Sequence, residues 1–99
     1  MELVFEWDPV KASSNLEKHG VTFEMAAEVF RDPLALTIYD EDHSVGDEDR
    51  WLTLGQVLGN KYVIVAHTYR NQKTNQVTIR IISARQATRN EINQYEQGE

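Results

Sequence analysis

The chain of 99 residues has a net charge of -6 and no cysteine, which suits one domain with one modest core and excludes disulfides and thiolate metal sites. Hydrophobic residues make up 40% and charged residues 26%, an ordinary balance for a soluble globular chain, and no apolar run approaches the roughly 20 residues needed to cross a bilayer. The negative balance argues against a nucleic-acid binder that works by bulk charge, but leaves room for a local basic site.

Residues 3–7, Leu-Val-Phe-Glu-Trp, read as a short strand. The N-terminal segment has no signal-peptide pattern, so a cytoplasmic location is expected. Asp8-Pro9 places an N-cap and a first-turn proline, so a helix should run to Lys18 or His19 and stop at Gly20. Thr22 opens a second helix, with Phe23, Ala26, Ala27 and Phe30 at near-helical spacing, and Asp32-Pro33 ends it. Residues 35–39 read as a second strand. Asp40, Glu41, Asp42, Asp47, Glu48 and Asp49 crowd residues 40–49, an expected exposed loop. Residues 51–58 and 62–70 read as a hairpin of strands around Gly59-Asn60. Residues 71–76 are a polar hairpin loop before a fifth strand from Val77. Ser83 followed by Gln86 has capping-box spacing, so the terminal helix is expected to start there. Arg80 then lies on the strand and Arg85 in the first helical turn, where it opposes the helix dipole and calls for an anion. Ile92 and Tyr95 share one side of that helix. The whole of 1–99 reads as a single α+β domain of order β-α-α-β-β-β-β-α, an antiparallel sheet with helices packed on one face.

A two-residue Gly59-Asn60 turn pairs Leu58 with Lys61 and places Leu52, Leu54, Val63 and Val65 on one face. If Val77, Ile79 and Ile81 join them, that face is a continuous core for the helices. The other face then carries Trp51, Thr53, Thr68, Arg70, Thr78 and Arg80, with Tyr62, Ile64 and Ile82. Arginine beside an aromatic on a polar sheet face suits phosphate and base contacts. The abundant carboxylates offer the same arginines ordinary salt bridges.

His19, His43 and His67 are scattered and form no pair at metal-ligand spacing. The acidic loop lacks the Gly and Glu placement of an EF-hand, and there is no phosphate loop or G-x-S-x-G. No metal and no cofactor are expected. His67 reads as a hydrogen-bonded, semi-buried strand residue. His19 precedes a helix stop, where a cation suits the dipole.

The run Phe5-Glu6-Trp7-Asp8-Pro9-x-Lys11-Ala12-x-x-Asn15-x-x-Lys18-His19-Gly20-Val21-x-Phe23-Glu24 resembles the opening signature of the BrnT toxins. So does Ala26-Ala27-x-Val29-Phe30-x-Asp32-Pro33. His43-Ser44, Glu48-x-Arg50, Leu54-Gly55, Ile79-Arg80-Ile81-Ile82-Ser83-Ala84-Arg85 and Glu91-x-x-x-Tyr95 extend the resemblance over nearly the whole chain. It implies a bacterial type II toxin with a RelE-like fold, a small ribonuclease that arrests translation. It also implies a BrnA-like ribbon-helix-helix antitoxin, a homodimer or a complex of two toxins and two antitoxins, and operator DNA contacted only through the antitoxin.

Metal-free RNA cleavage needs a proton acceptor for the 2'-hydroxyl, cations for the phosphorane and an acid for the 5'-oxygen. By the resemblance, Arg50, Arg70, Arg80 and Arg85 are expected to bind phosphate and stabilise charge. Glu48 and His19 are expected to transfer protons, with His67 in reserve. Either the acids beside Arg50 lie away from the RNA face, or activity is weak or lost; a further reading is that the acidic loop docks a basic stretch of the antitoxin. The alternatives are a toxin-like protein that binds the antitoxin and regulates transcription without cutting RNA, and a homo-oligomer built through Trp7, Trp51 or Tyr62.

Overall fold

The computed structural model describes residues 1–44, 46, 48–70 and 73–98. The expected helix signals work locally. Asp8 accepts from the Val10 N–H at 2.8 Å, Pro9 opens α1 (Pro9–His19), and Gly20 ends it at φ 69°. Thr22 caps α2 (Phe23–Glu28) through the Met25 N–H, and a 3₁₀ turn (Val29–Arg31) carries the chain to Asp32. The strands are β1 (Glu2–Glu6), β2 (Leu36–Tyr39), β3 (Trp51–Val57), β4 (Lys61–Arg70) and β5 (Gln76–Gln86), followed by α3 (Arg89–Gln97). They form one sheet in the order β1-β5-β4-β3-β2.

Four features depart from the sequence reading. First, the sheet is mixed, because β1 pairs parallel with β5. The direction follows from what comes next: a parallel β1 hands the chain to α1 alongside the part of β5 that continues past Arg80.

Second, Val57 rather than Leu58 faces Lys61. Leu58, Gly59 and Asn60 all belong to the turn, with Gly59 at φ 83° and Asn60 at φ 61°. The slip of one residue exchanges faces. Val57, Val63 and Val65 join Ile79, Ile81, Ala84, Val21, Phe23, Ala26 and Val29 in the main core. Leu54 and Ile64 lie on the opposite face with Tyr95.

Third, helices therefore cover both faces. α1 and α2 lie on the valine side, and Tyr95 of α3 packs the leucine side.

Fourth, the Ser83–Gln86 signal is not a helix start. Ser83 and Ala84 are held in β5 opposite Ala66 and Val65, and this long-range ladder overrides the local cap. The working capping box is Thr88 with Glu91, whose carboxylate accepts from the Thr88 N–H at 2.8 Å. Arg85 accordingly sits on the strand.

A register shift between Ala66 and His67 makes Ile82 the extra residue of a β-bulge, since Ala66 faces Ser83 while His67 faces Ile81. The bulge lets Ile81 and Ala84, three residues apart, enter the same core.

Past Arg80 the outer edge of β5 has no strand beside it, because β1 ends at Glu6. Asn15 of α1 takes the strand's place. Its Nδ2 donates to the Ala84 carbonyl at 2.8 Å and its Oδ1 accepts from the Ala84 N–H at 3.0 Å. Nδ2 also donates to the Val21 carbonyl at 3.0 Å. On the other face, Asp32 accepts from the Leu34 N–H, the Gln56 N–H and, at 2.6 Å, the Tyr95 hydroxyl. Burial pushes the Asp32 carboxyl up, but the hydrogen bonds from Tyr95, Gln56 and Leu34 outweigh it and hold it below its usual value. Gly55 leaves room for the 3₁₀ turn: a Cβ there would lie 2.8 Å from Val29 Cγ1.

Asn15→Leu keeps an apolar contact but leaves the Ala84 and Val21 backbone groups without their partner. At about 1–3 kcal/mol for an unsatisfied buried group, chemical denaturation should show a loss of about 3 kcal/mol or more, whereas an exposed control such as Val10→Ala should change little.

Candidate active site

The sheet face opposite the main core carries a row of polar side chains across β1, β5 and β4. In register, Glu6 of β1 lies beside Arg80 of β5, and Arg80 beside Thr68 of β4. Trp51 faces His67 on the core side, and the β2–β3 ladder runs one residue further, with the Asp40 N–H donating to the Arg50 carbonyl at 2.8 Å. Alternation from Trp51 turns Arg50 toward the polar face. Arg70 faces Thr78 two residues along, so Arg70 and Arg80 share this face as expected.

Glu6 Oε2 holds both arginines, accepting from Arg80 Nη1 at 3.1 Å and lying 3.8 Å from Arg70 Nη1. The cluster is open to solvent: the Glu6 side chain is 36% exposed and that of Arg70 48%. Thr68 beneath it is buried, and its hydroxyl has no hydrogen-bond partner among the described residues. Among those residues Arg50 forms no ion pair.

Arg85 stands apart, opposite Ile64 and five residues beyond Arg80, about 16 Å at the ordinary strand rise. It already has an anion. Its two Nη atoms donate to the two carboxylate oxygens of Glu91, each at 2.9 Å, and so tie β5 to the first turn of α3. The Arg85 guanidinium, opposed by burial and helped by the Thr88 cap, holds the Glu91 carboxyl down to about 2.

His19 lies at the end of α1 and lines a shallow cleft with Lys11, Lys18, Ile82 and Ser83. Glu48 is an exposed bridge residue of the acidic loop, and Asp47 beside it lies outside the described residues. The loop joins β2 to β3, at the sheet edge away from β1 and Glu6. There Asp40 pairs with His43 and Asp49 accepts from the Tyr39 hydroxyl.

His67 is on the other face, fully buried. Its Nε2 is 2.7 Å from Thr53 Oγ1, which meets Thr37 Oγ1 at 2.8 Å, and its ring packs edge-on against Phe30 and Tyr69. Burial pulls its imidazole down to about 4, so it is neutral at pH 7 and part of the core.

Sequence reasoning did not single out Glu6. Phe5 and Trp7, which flank it, both pack on the main core, so strand alternation turns Glu6 to the other face. Only the pairing of β1 with β5, separated by some 70 residues of chain, places it beside Arg80.

Together these features define a small α+β protein with an arginine–carboxylate cluster on an open sheet face. Residues 7–91 match the profile of a family described as "Ribonuclease toxin, BrnT, of type II toxin-antitoxin system". The chain belongs to this family of BrnT ribonuclease toxins. It is similar in fold to the crystal structure of the ribonuclease toxin BrnT of Brucella abortus, with a TM-score of 0.59 and 22% identity over 90% of this chain and 100% of that one. The comparison with curated proteins gives no match.

The Arg85–Glu91 pair has a pH signature. Glu91 is depressed in the fold, so its contribution is present above its unfolded value, about 4.3, and is lost as pH falls toward 2. Thermal unfolding should show wild type losing stability between pH 5 and pH 2. Glu91→Gln should be less stable at pH 7 and show a smaller loss over that interval.

Proposed function

We propose that this chain is an active, metal-independent endoribonuclease that cleaves RNA and thereby inhibits translation. The observation that carries the reading is the pair Arg80 and Arg70, gathered at Glu6 on an open sheet face of a chain that belongs to a ribonuclease toxin family. Guanidinium groups fork onto phosphate oxygens, and Arg70 and Arg80 stand on strands rather than on loops. Arg80 and Arg70 meet the scissile phosphate and stabilise the phosphorane as the 2'-hydroxyl attacks. Arg50, turned toward the same face, meets a neighbouring phosphate. Arg85, paired with Glu91, contributes by holding α3 and the end of β5 in place.

Lys11, Lys18 and His19 border the cleft beside Ile82 and Ser83, close along β5 to Arg80, and extend the basic track. His19 is the proposed donor to the leaving 5'-oxygen. Glu48 remains a second proton-transfer group, on the loop side of Arg50. The acidic loop at the far sheet edge supports the idea that a negative protein keeps its RNA face basic.

Neutralisation falls to a BrnA-like ribbon-helix-helix antitoxin in a complex of two toxins and two antitoxins, which reaches operator DNA through the antitoxin in the cytoplasm. The exposed β2 edge, with Ile38 62% exposed and the acidic loop beside it, suits an extended segment carrying apolar and basic residues. The fold reading that accompanies this function is a RelE-like one.

A second reading is favoured by one observation: Arg70 and Arg80 share Glu6, and Arg85 holds Glu91. Ion-paired arginines are what a non-catalytic, antitoxin-binding protein would show.

Expression of the chain alone should arrest growth, and co-expression of the antitoxin should relieve it. Purified protein should cleave RNA in EDTA. Arg80→Ala should cut the rate by roughly 10²–10³-fold, the usual cost of one oxyanion donor. Intact RNA after incubation with folded wild type supports the second reading instead.

A further inference from the structure

We propose that Glu6 is the group that takes the proton from the attacking 2'-hydroxyl, a role that rests on the ribonuclease reading above. Glu6 is the carboxylate in the row, on a strand, with Arg80 on the adjacent strand and Arg70 on the next. Both arginines approach the same oxygen, Oε2. The other oxygen, Oε1, makes no hydrogen bond among the described residues, on a side chain that is 36% exposed. Glu48 has no cation paired with it among the described residues. Asp49 is bonded to Tyr39. His67 is sealed in the core on the other face.

The arrangement also solves a charge problem. Before reaction, the Glu6 carboxylate offsets one of the two guanidinium charges, leaving the cluster with a net positive charge for the phosphate. In the step, the 2'-O–H bond breaks and its proton goes to Glu6 Oε1. The 2'-oxygen forms a bond to phosphorus, and negative charge grows on the phosphorane oxygens. Glu6 becomes neutral at that moment, so Arg70 and Arg80 lose their old anion as the new one forms. Their attraction shifts to the phosphorane without a change in the net charge of the site. The P–O5' bond then breaks, and the leaving oxygen takes a proton from His19 or solvent. The products are a 2',3'-cyclic phosphate end and a 5'-hydroxyl end, and Glu6 returns its proton to water.

The test uses the full chain in EDTA with a fluorogenic mixed-sequence RNA, and the same RNA with 2'-O-methyl groups to measure binding without cleavage. Glu6→Gln should lower kcat by roughly 10²–10⁴-fold, the usual range for a general base. It should leave binding of the 2'-O-methyl RNA within a few-fold of wild type and remove the acidic limb of the pH–rate profile. Glu6→Ala should regain activity with added formate, which a carboxylate that merely props the arginines does not require in the transition state. Glu6→Gln cleaving at the wild-type rate, faster than wild type, or with the acidic limb intact overturns the role. A faster variant would mark Glu6 as a stand-in for phosphate that competes with RNA. Wild type that leaves RNA intact overturns the ribonuclease reading itself, whereas an active wild type with an unaffected variant overturns Glu6 alone.

Discussion

The two-point bond between the Asn15 side chain and the Ala84 backbone holds the rest of the structure in register. A β-strand edge next to a helix leaves N–H and C=O groups without partners. Asn15 presents a donor and an acceptor in the spacing of a peptide group, so one helical residue completes the edge that β1 leaves unfinished. Its further bond to Val21 anchors the turn after Gly20, and from there Val21 and Phe23 enter the core. One amide thus ties together the helix, the turn after it and the strand that carries Arg80.

This closure has consequences for the site. β1 stops at Glu6 because α1 takes over the edge immediately afterwards, and the last paired residue of β1 is the one beside Arg80. The bulge at Ile82 serves the same end. It turns Ala84 into the main core and to Asn15 while leaving Arg80 on the open face. Core geometry and site geometry are set by the same few residues of β5.

The second face is organised by polar contacts more than by area. α3 is held through Tyr95 on Asp32 and through Glu91 on Arg85, with a small apolar cluster around Leu54 and Ile64 beneath it. Charge is sorted laterally as well. The acidic loop hangs from the β2–β3 edge, while Lys11, Lys18 and His19 border the β5 bulge on the α1 side. A chain with a net charge of -6 can in this way keep a local basic surface.

Local signals were legible because their physics is local. Asp8-Pro9, Gly20 and Thr22 define helix ends through caps and backbone angles within a few residues. The strands near 36–39, 51–57 and 61–70 showed in β-branched alternation, and Arg70 and Arg80 could be placed on one face from that pattern. Face assignment on β3 was lost to one turn residue, since Leu58-Gly59-Asn60 closes the hairpin where a two-residue turn was expected. The start of α3 was placed too early, at Ser83-x-x-Gln86, because the pattern is the same as that of the true cap, Thr88-x-x-Glu91. Hydrogen bonds from β4 and Asn15 decide between them, and neither is near in sequence. By itself, then, the sequence determined the element types, the order of the chain, the arginines on β4 and β5 and the family resemblance, all of which rest on residue type and short spacing. Tertiary structure alone decided that β1 lies parallel to β5 and that Glu6 reaches both Arg80 and Arg70, because these are pairings between segments far apart in the chain. It also decided that Arg85 meets Glu91 from a strand, because the β4 ladder and Asn15 hold that end of β5 extended.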